Sequence, residues 1–145
     1  MKLNKYLLLA LWLGMFILCA VLGYLPPQEG ANKWLLVLFA FAFFVPPALL
    51  LYKNRQDIKM LRLIRTIALA VLIATVVLLI VNLLSVALIL VMEEQTALIV
   101  GDVLYDILIL VSTPMVCGQY WGIGLLGWAA LLWSCIFLER ALKKE

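Results

Sequence analysis

Residues 97–138 form an almost unbroken apolar stretch that nevertheless carries two acids, Asp102 and Asp106. At ~1.5 Å per helical residue it is too long for one passage through a hydrocarbon layer of ~30 Å. How it folds decides where the C-terminus lies and whether the chain holds a polar site. The rest of the sequence narrows the choice, because it consists of apolar runs of membrane-spanning length divided by short polar joints. Overall, 68% of the 145 residues are hydrophobic and 13% are charged. Soluble domains average about 45–50% apolar and about 25% charged. A water-soluble fold of this size could not hide so much apolar surface. The expected fold class is therefore all-α: a four-transmembrane-helix bundle, N- and C-termini cytoplasmic, with residues 1–145 forming one membrane domain.

Residues 6–25 fit a first crossing. The run is longer than the ~7–15 residues of a signal-peptide core, and no small-residue cleavage pattern follows it. It reads as an uncleaved membrane helix. Pro26 and Pro27 stop it, because proline cannot donate the next helical hydrogen bonds. Residues 34–52 fit a second crossing with an aromatic at each end. Pro46 and Pro47 fall inside it, where they are expected to bend the helix at a candidate hinge.

Residues 53–65 are the most strongly charged stretch. Lys53, Arg55, Lys59, Arg62 and Arg65 stand there against Asp57 alone. The positive-inside rule places this expected loop in the cytoplasm. The same five residues are candidates for contact with anionic lipid, at ~1 kcal/mol per basic residue near the surface. Residues 66–92 are a long third crossing, expected to tilt or protrude. Asn82 and Ser85 lie three residues apart in its outer half and share a face.

The long stretch divides by length into residues 97–113 and 121–138. The ten Leu, Ile and Val residues of 97–113 favour insertion by roughly 3–6 kcal/mol, and two acids oppose it by up to ~5–7 kcal/mol. The balance is near zero, so charge topology decides. Four crossings place Lys2, Lys5, the basic loop and the tail at residues 139–145 on one side. Residues 97–113 are then an outer-side element. It lies in the interface, re-enters part-way, gives way to a crossing over residues 103–126 with the last turns along the inner surface, or forms the start of one long last helix bent near Pro114 and running to residue 138. The last arrangement is preferred here, with Pro114 as a second hinge.

On a helix, Asp102, Asp106 and Thr113 share a face, flanked by Tyr105 and Ser112. Acids at membrane depth must pair or face water, so they mark a candidate polar or ion site. Asn82 and Ser85 are candidates to complete it. Gly118, Gly122 and Ala129 fall on another face and include a G-x-x-x-G pair, a candidate surface for close helix packing or for a homo-oligomer.

The chemistry available is limited. The chain has no His, which removes imidazole ligands and His as a general base. Cys19, Cys117 and Cys135 have neither metal-site nor thioredoxin spacing. They are expected as buried free thiols, with a bridge between Cys19 and Cys117 left open. No nucleophile and base set or phosphate-binding glycine loop occurs. No cofactor, metal site, catalytic residue or nucleic-acid partner is expected. The expected role is that of a small non-enzymatic subunit, accessory, regulatory or self-protecting (immunity-like), acting through helix–helix contacts in a bacterial cell membrane. Its expected partners are membrane lipids and another membrane protein or a second copy of itself. Two alternatives stay open. One is a transporter or channel subunit using Asp102 and Asp106 for a proton or cation; the other is a lipid- or quinone-binding protein.

Overall fold

The computed structural model describes residues 5–88 and 94–142, and these form six α-helices. They are α1 (Lys5–Gly23), α2 (Ala31–Ala42), α3 (Val45–Lys53), α4 (Ile58–Leu88), α5 (Glu94–Val111) and α6 (Trp121–Leu142). The expected end of the third crossing at Met92, and Lys2, Lys143 and Lys144, lie outside the described residues. Four segments are long and apolar enough to cross a membrane: α1, α2 with α3, most of α4, and α6. α5 is not among them. Its eighteen residues include Glu94, Asp102 and Asp106. The helices are those of a membrane protein.

The second crossing is broken where its prolines predict. α2 ends at Ala42, and Pro46 and Pro47 sit buried in the first turn of α3. A first-turn proline sacrifices no internal hydrogen bond, since the amide it lacks would have had no helical partner. The break frees Phe43 and Phe44 to turn toward the neighbouring helices.

The third helix begins earlier than expected. Residues 53–65 are not a loop; only residues 54–57 leave the helical path. Asp57 is the cause. Its Oδ1 accepts from the Lys59 amide at 3.1 Å and the Met60 amide at 3.3 Å, satisfying orphan donors of the first turn. α4 therefore starts at Ile58 and carries Lys59, Arg62 and Arg65 on its first two turns.

The last helix differs from the expectation of a single rod bent near Pro114. α5 stops at Val111, residues 112–120 form a compact turn, and α6 starts afresh at Trp121. Pro114 cannot donate to the preceding turn and restricts the residue before it. The peptide bond between Thr113 and Pro114 is cis, and Cys117, Gly118 and Tyr120 adopt positive φ. No helix continues through such a segment. The helix is interrupted there, and α6 then resumes toward the Arg65 end of α4.

Two apolar clusters lie along α4. The larger joins Leu8, Trp12 and Cys19 of α1, Phe43, Leu50 of α3, Leu61, Ile64 and Ala68 of α4, and Trp128, Leu131 and Cys135 of α6. The smaller joins Leu108 and Ile109 of α5 to Met115, with Leu78 and Leu79 of α4 packed against it. The first half of α4 thus packs on α6 and its second half on α5. One stripe serves both, because Leu61, Ile64, Ala68, Thr75 and Leu79 recur at helical spacing. α4 has 31 residues, about 46 Å of helix, while α1 ends at Gly23 beside Ile109. The upper part of α4 and most of α5 form a two-helix hairpin extending past the end of α1.

At the opposite end, Arg65 donates to Glu139 and ties α4 to α6. The Glu139 side chain is 12% exposed and that of Arg65 40%, so the two partners are not equivalent. Removing the arginine strands a nearly buried carboxylate; removing the carboxylate leaves a guanidinium that reaches water. Arg65→Ala is expected to lower stability by about 2–3 kcal/mol and Glu139→Ala by about 1 kcal/mol. Exchanging the two residues should recover most of the loss. Denaturant- or heat-induced unfolding in detergent micelles measures all three.

Candidate functional site

The turn at residues 112–120 is the most constrained part of the molecule. Two of its non-glycine residues hold positive φ, Cys117 at 52° and Tyr120 at 63°. Each costs roughly 1–3 kcal/mol and persists only where the surroundings impose it. The surroundings here are identifiable. The Cys117 amide donates at 2.8 Å to the Leu22 carbonyl at the end of α1, which also accepts from the Leu25 amide at 3.2 Å. Val116 and Gln119 pair across the turn, with the Gln119 amide 2.9 Å from the Val116 carbonyl. The Trp128 indole donates to the Thr113 carbonyl at 2.8 Å and is buried. Tyr105 donates from its hydroxyl to the Gly118 carbonyl at 3.3 Å, and Tyr24 to the Asp106 carbonyl at 3.2 Å.

Three glycines permit this assembly. A Cβ on Gly23 would meet Ile109 and stand 2.7 Å from the Met115 carbonyl. One on Gly118 would strike the Tyr105 hydroxyl, and one on Gly124 would lie 3.0 Å from the Ser112 carbonyl. Of these, only Gly118 was singled out from sequence, and for another reason. It sits in the turn rather than on a helix, so the expected G-x-x-x-G face of Gly118 and Gly122 does not form. Gly122 has no atom within 4 Å of an added Cβ, and Ala129 is exposed. The close approach within α6 falls instead at Gly127, where a Cβ would overlap the Phe44 ring. The heptad pattern carried no signal for it, because the partner is a ring turned inward by the α2–α3 break.

The expected polar residues are distributed as follows. Asp102 and Asp106 are exposed on α5. Asp106 borders an open cleft of 570 Å³ with Tyr24, Pro26, Tyr105, Cys117 and Gln119. Thr113 does not share their face, because α5 ends two residues before it. It is buried, and its hydroxyl donates to the Leu110 carbonyl at 2.8 Å. Asn82 and Ser85 do share one face of α4, and Ser85 donates to the Asn82 carbonyl at 2.7 Å. Among the described residues, no hydrogen bond links Asn82 or Ser85 to either acid. Thr75 is buried in the packing stripe of α4, with its hydroxyl unpartnered among the described residues.

At the basic end, Lys53, Arg55, Lys59 and Arg62 are exposed, whereas Arg65 is drawn inward by Glu139. All three cysteines are free and buried. Among the described residues, no group of three His, Cys, Asp or Glu side chains is placed to hold a metal.

No protein-family model, curated protein or solved structure matches the chain.

Trp128→Phe keeps the ring packing but leaves the Thr113 carbonyl buried without a donor. A loss of about 1–3 kcal/mol is expected, measured by unfolding in micelles. Burial also pushes the Cys117 thiol up from its ordinary value. The thiolate is the reactive form, so at neutral pH Cys117 should alkylate more slowly than an exposed thiol. Its rate should go on rising beyond about pH 9.5, where an ordinary thiol of pKa about 8.5 has levelled off. A pH series of maleimide labelling with Cys19 and Cys135 replaced by Ala measures this.

Proposed function

We propose that the chain is a non-enzymatic accessory or regulatory subunit, of which a self-protecting (immunity-like) subunit is one form. It acts in a bacterial cell membrane through helix–helix contacts. The observation that carries this reading is how far α4 runs past α1. From Leu79, at the level where α1 ends beside Ile109, α4 continues nine residues to Leu88, ~14 Å of helix. The part that runs past α1 is not polar. Leu83 and Leu84 of α4 and Leu98, Ile99 and Val103 of α5 are all exposed. Apolar side chains carried beyond the hydrocarbon need a cover, and the outer part of another membrane protein supplies one. Asp102 and Asp106, exposed on the same hairpin, are the residues proposed to select that partner by charge.

Both termini are proposed to be cytoplasmic. Lys5, residues 53–65 and Arg140 gather at one end of the crossings, opposite the hairpin, as the positive-inside rule requires of a cytoplasmic face.

A photo-crosslinking residue in place of Ile99, in native membranes, should give one saturable adduct with a second polypeptide. The same probe at exposed Ile73 should give none, and Leu83→Asp should suppress the adduct. Equal, diffuse labelling from both positions would remove the reading.

A second reading has one observation in its favour, the 570 Å³ cleft beside Asp106. If the chain is a transporter or channel subunit, Asp102→Asn with Asp106→Asn should abolish proton or cation flux in proteoliposomes. Unchanged flux would end that reading.

A further inference from the structure

A groove opens on the side of the molecule, between α2 and α3 on one wall and α6 on the other. It holds 510 Å³ and is lined by Phe41, Phe44, Ala48 and Leu51 facing Gly127 and Ala130. Phe44 forms part of its wall, packed edge-on against Trp128 with ring centroids 5.6 Å apart. The ring fits where Gly127 has no side chain. The polar group of the wall is Ser134, and its hydroxyl already donates to the Ala130 carbonyl at 2.8 Å. A quinone carbonyl would find no donor there.

Along α6 the groove runs from Ile123 to Ser134, about 16 Å of helix. Apolar along that length, it suits a hydrocarbon chain lying parallel to α6.

The groove leads toward charge. One turn past Leu51 on one wall and Ser134 on the other, a second cleft of 260 Å³ is lined by Arg55, Gln56, Leu138, Ala141 and Leu142. Arg55 is exposed and has no hydrogen-bond or ion-pair partner among the described residues. The nearby acid, Asp57, is already engaged with the first amides of α4.

We propose that this groove binds an anionic phospholipid, with acyl chain along α3 and α6 and phosphate at Arg55. The proposal is independent of the α4–α5 hairpin. A zwitterionic lipid fits the groove equally but gains less at its mouth. Basic residues near a membrane surface favour anionic lipid by ~1 kcal/mol each, about fivefold.

The test is native mass spectrometry of the full chain, purified in detergent and given equimolar phosphatidylglycerol and phosphatidylcholine. Wild type should retain phosphatidylglycerol about fivefold more. Arg55→Gln should bring the ratio to within about twofold without reducing phosphatidylcholine. Ala130→Trp and Ala48→Phe fill the groove from opposite, exposed walls. Each should reduce retention of both lipids at least fivefold, with helix content and unfolding midpoint preserved. Equal retention of the two lipids by wild type would overturn the proposal. So would undiminished retention in both groove-filling variants, or a change of oligomeric state in place of lipid loss.

Discussion

Four aromatic rings hold the crossings together. Trp12 of α1, Phe43 and Phe44 at the α2–α3 break, and Trp128 of α6 meet with ring centroids 5.1–6.4 Å apart, tilted or edge-on. Such pairs contribute about 0.5–1.5 kcal/mol each beyond their buried area. Within lipid that contribution weighs more than in a soluble core, because hydrocarbon outside the protein is as apolar as the interior and cannot drive helices together. Packing must do so. The cluster depends on the two prolines, which interrupt the second crossing at the level where its rings turn inward. It depends also on Gly127, whose missing side chain admits Phe44.

Trp128 links this cluster to the far end of the molecule. Its ring packs with the others, while its indole N–H satisfies the Thr113 carbonyl in the turn between α5 and α6. That turn in turn binds the end of α1 through Cys117 and Leu22. Three helices and one irregular segment are thereby fixed to each other by one side chain and a few main-chain bonds. The irregular backbone follows the usual constraint on non-helical chain near a membrane in part: the Thr113 and Gly118 carbonyls and the Cys117 and Gln119 amides are met by protein partners.

α4 connects this packed region to a freer one. Its lower half is held by α1, α3 and α6, and its upper half has α5 as partner. A helix that changes neighbours half-way along a single stripe couples the basic end, with Arg65 and Glu139, to the hairpin bearing Asp102 and Asp106. The two surfaces proposed for function, the hairpin and the lipid groove, lie on different elements. A partner and a lipid would therefore not compete for the same residues.

Much of the architecture was legible without coordinates. Runs of about twenty apolar residues leave a chain no alternative to membrane helices, and Pro46 with Pro47 marks a break wherever the helix lies. Charge indicated that residues 97–113 were not an ordinary crossing, and α5 is not among the four segments long and apolar enough to cross. Periodicity misled where it assumed a helix that proline had already ended. It placed Thr113 with the acids and Gly118 with Gly122, though α5 stops at Val111 and Gly118 lies in a turn. The early start of α4 was missed because basic residues resemble a loop, while Asp57 shows them to be a capped helix. Composition and hydropathy determined that the protein belongs in a membrane and which segments are long enough to cross it, because those properties are local sums along the chain. Only the tertiary structure decided how residues 112–120 interrupt the last helix, which glycine receives Phe44, and that Arg65 finds Glu139. Each of those depends on a partner distant in sequence, and no local sum contains it.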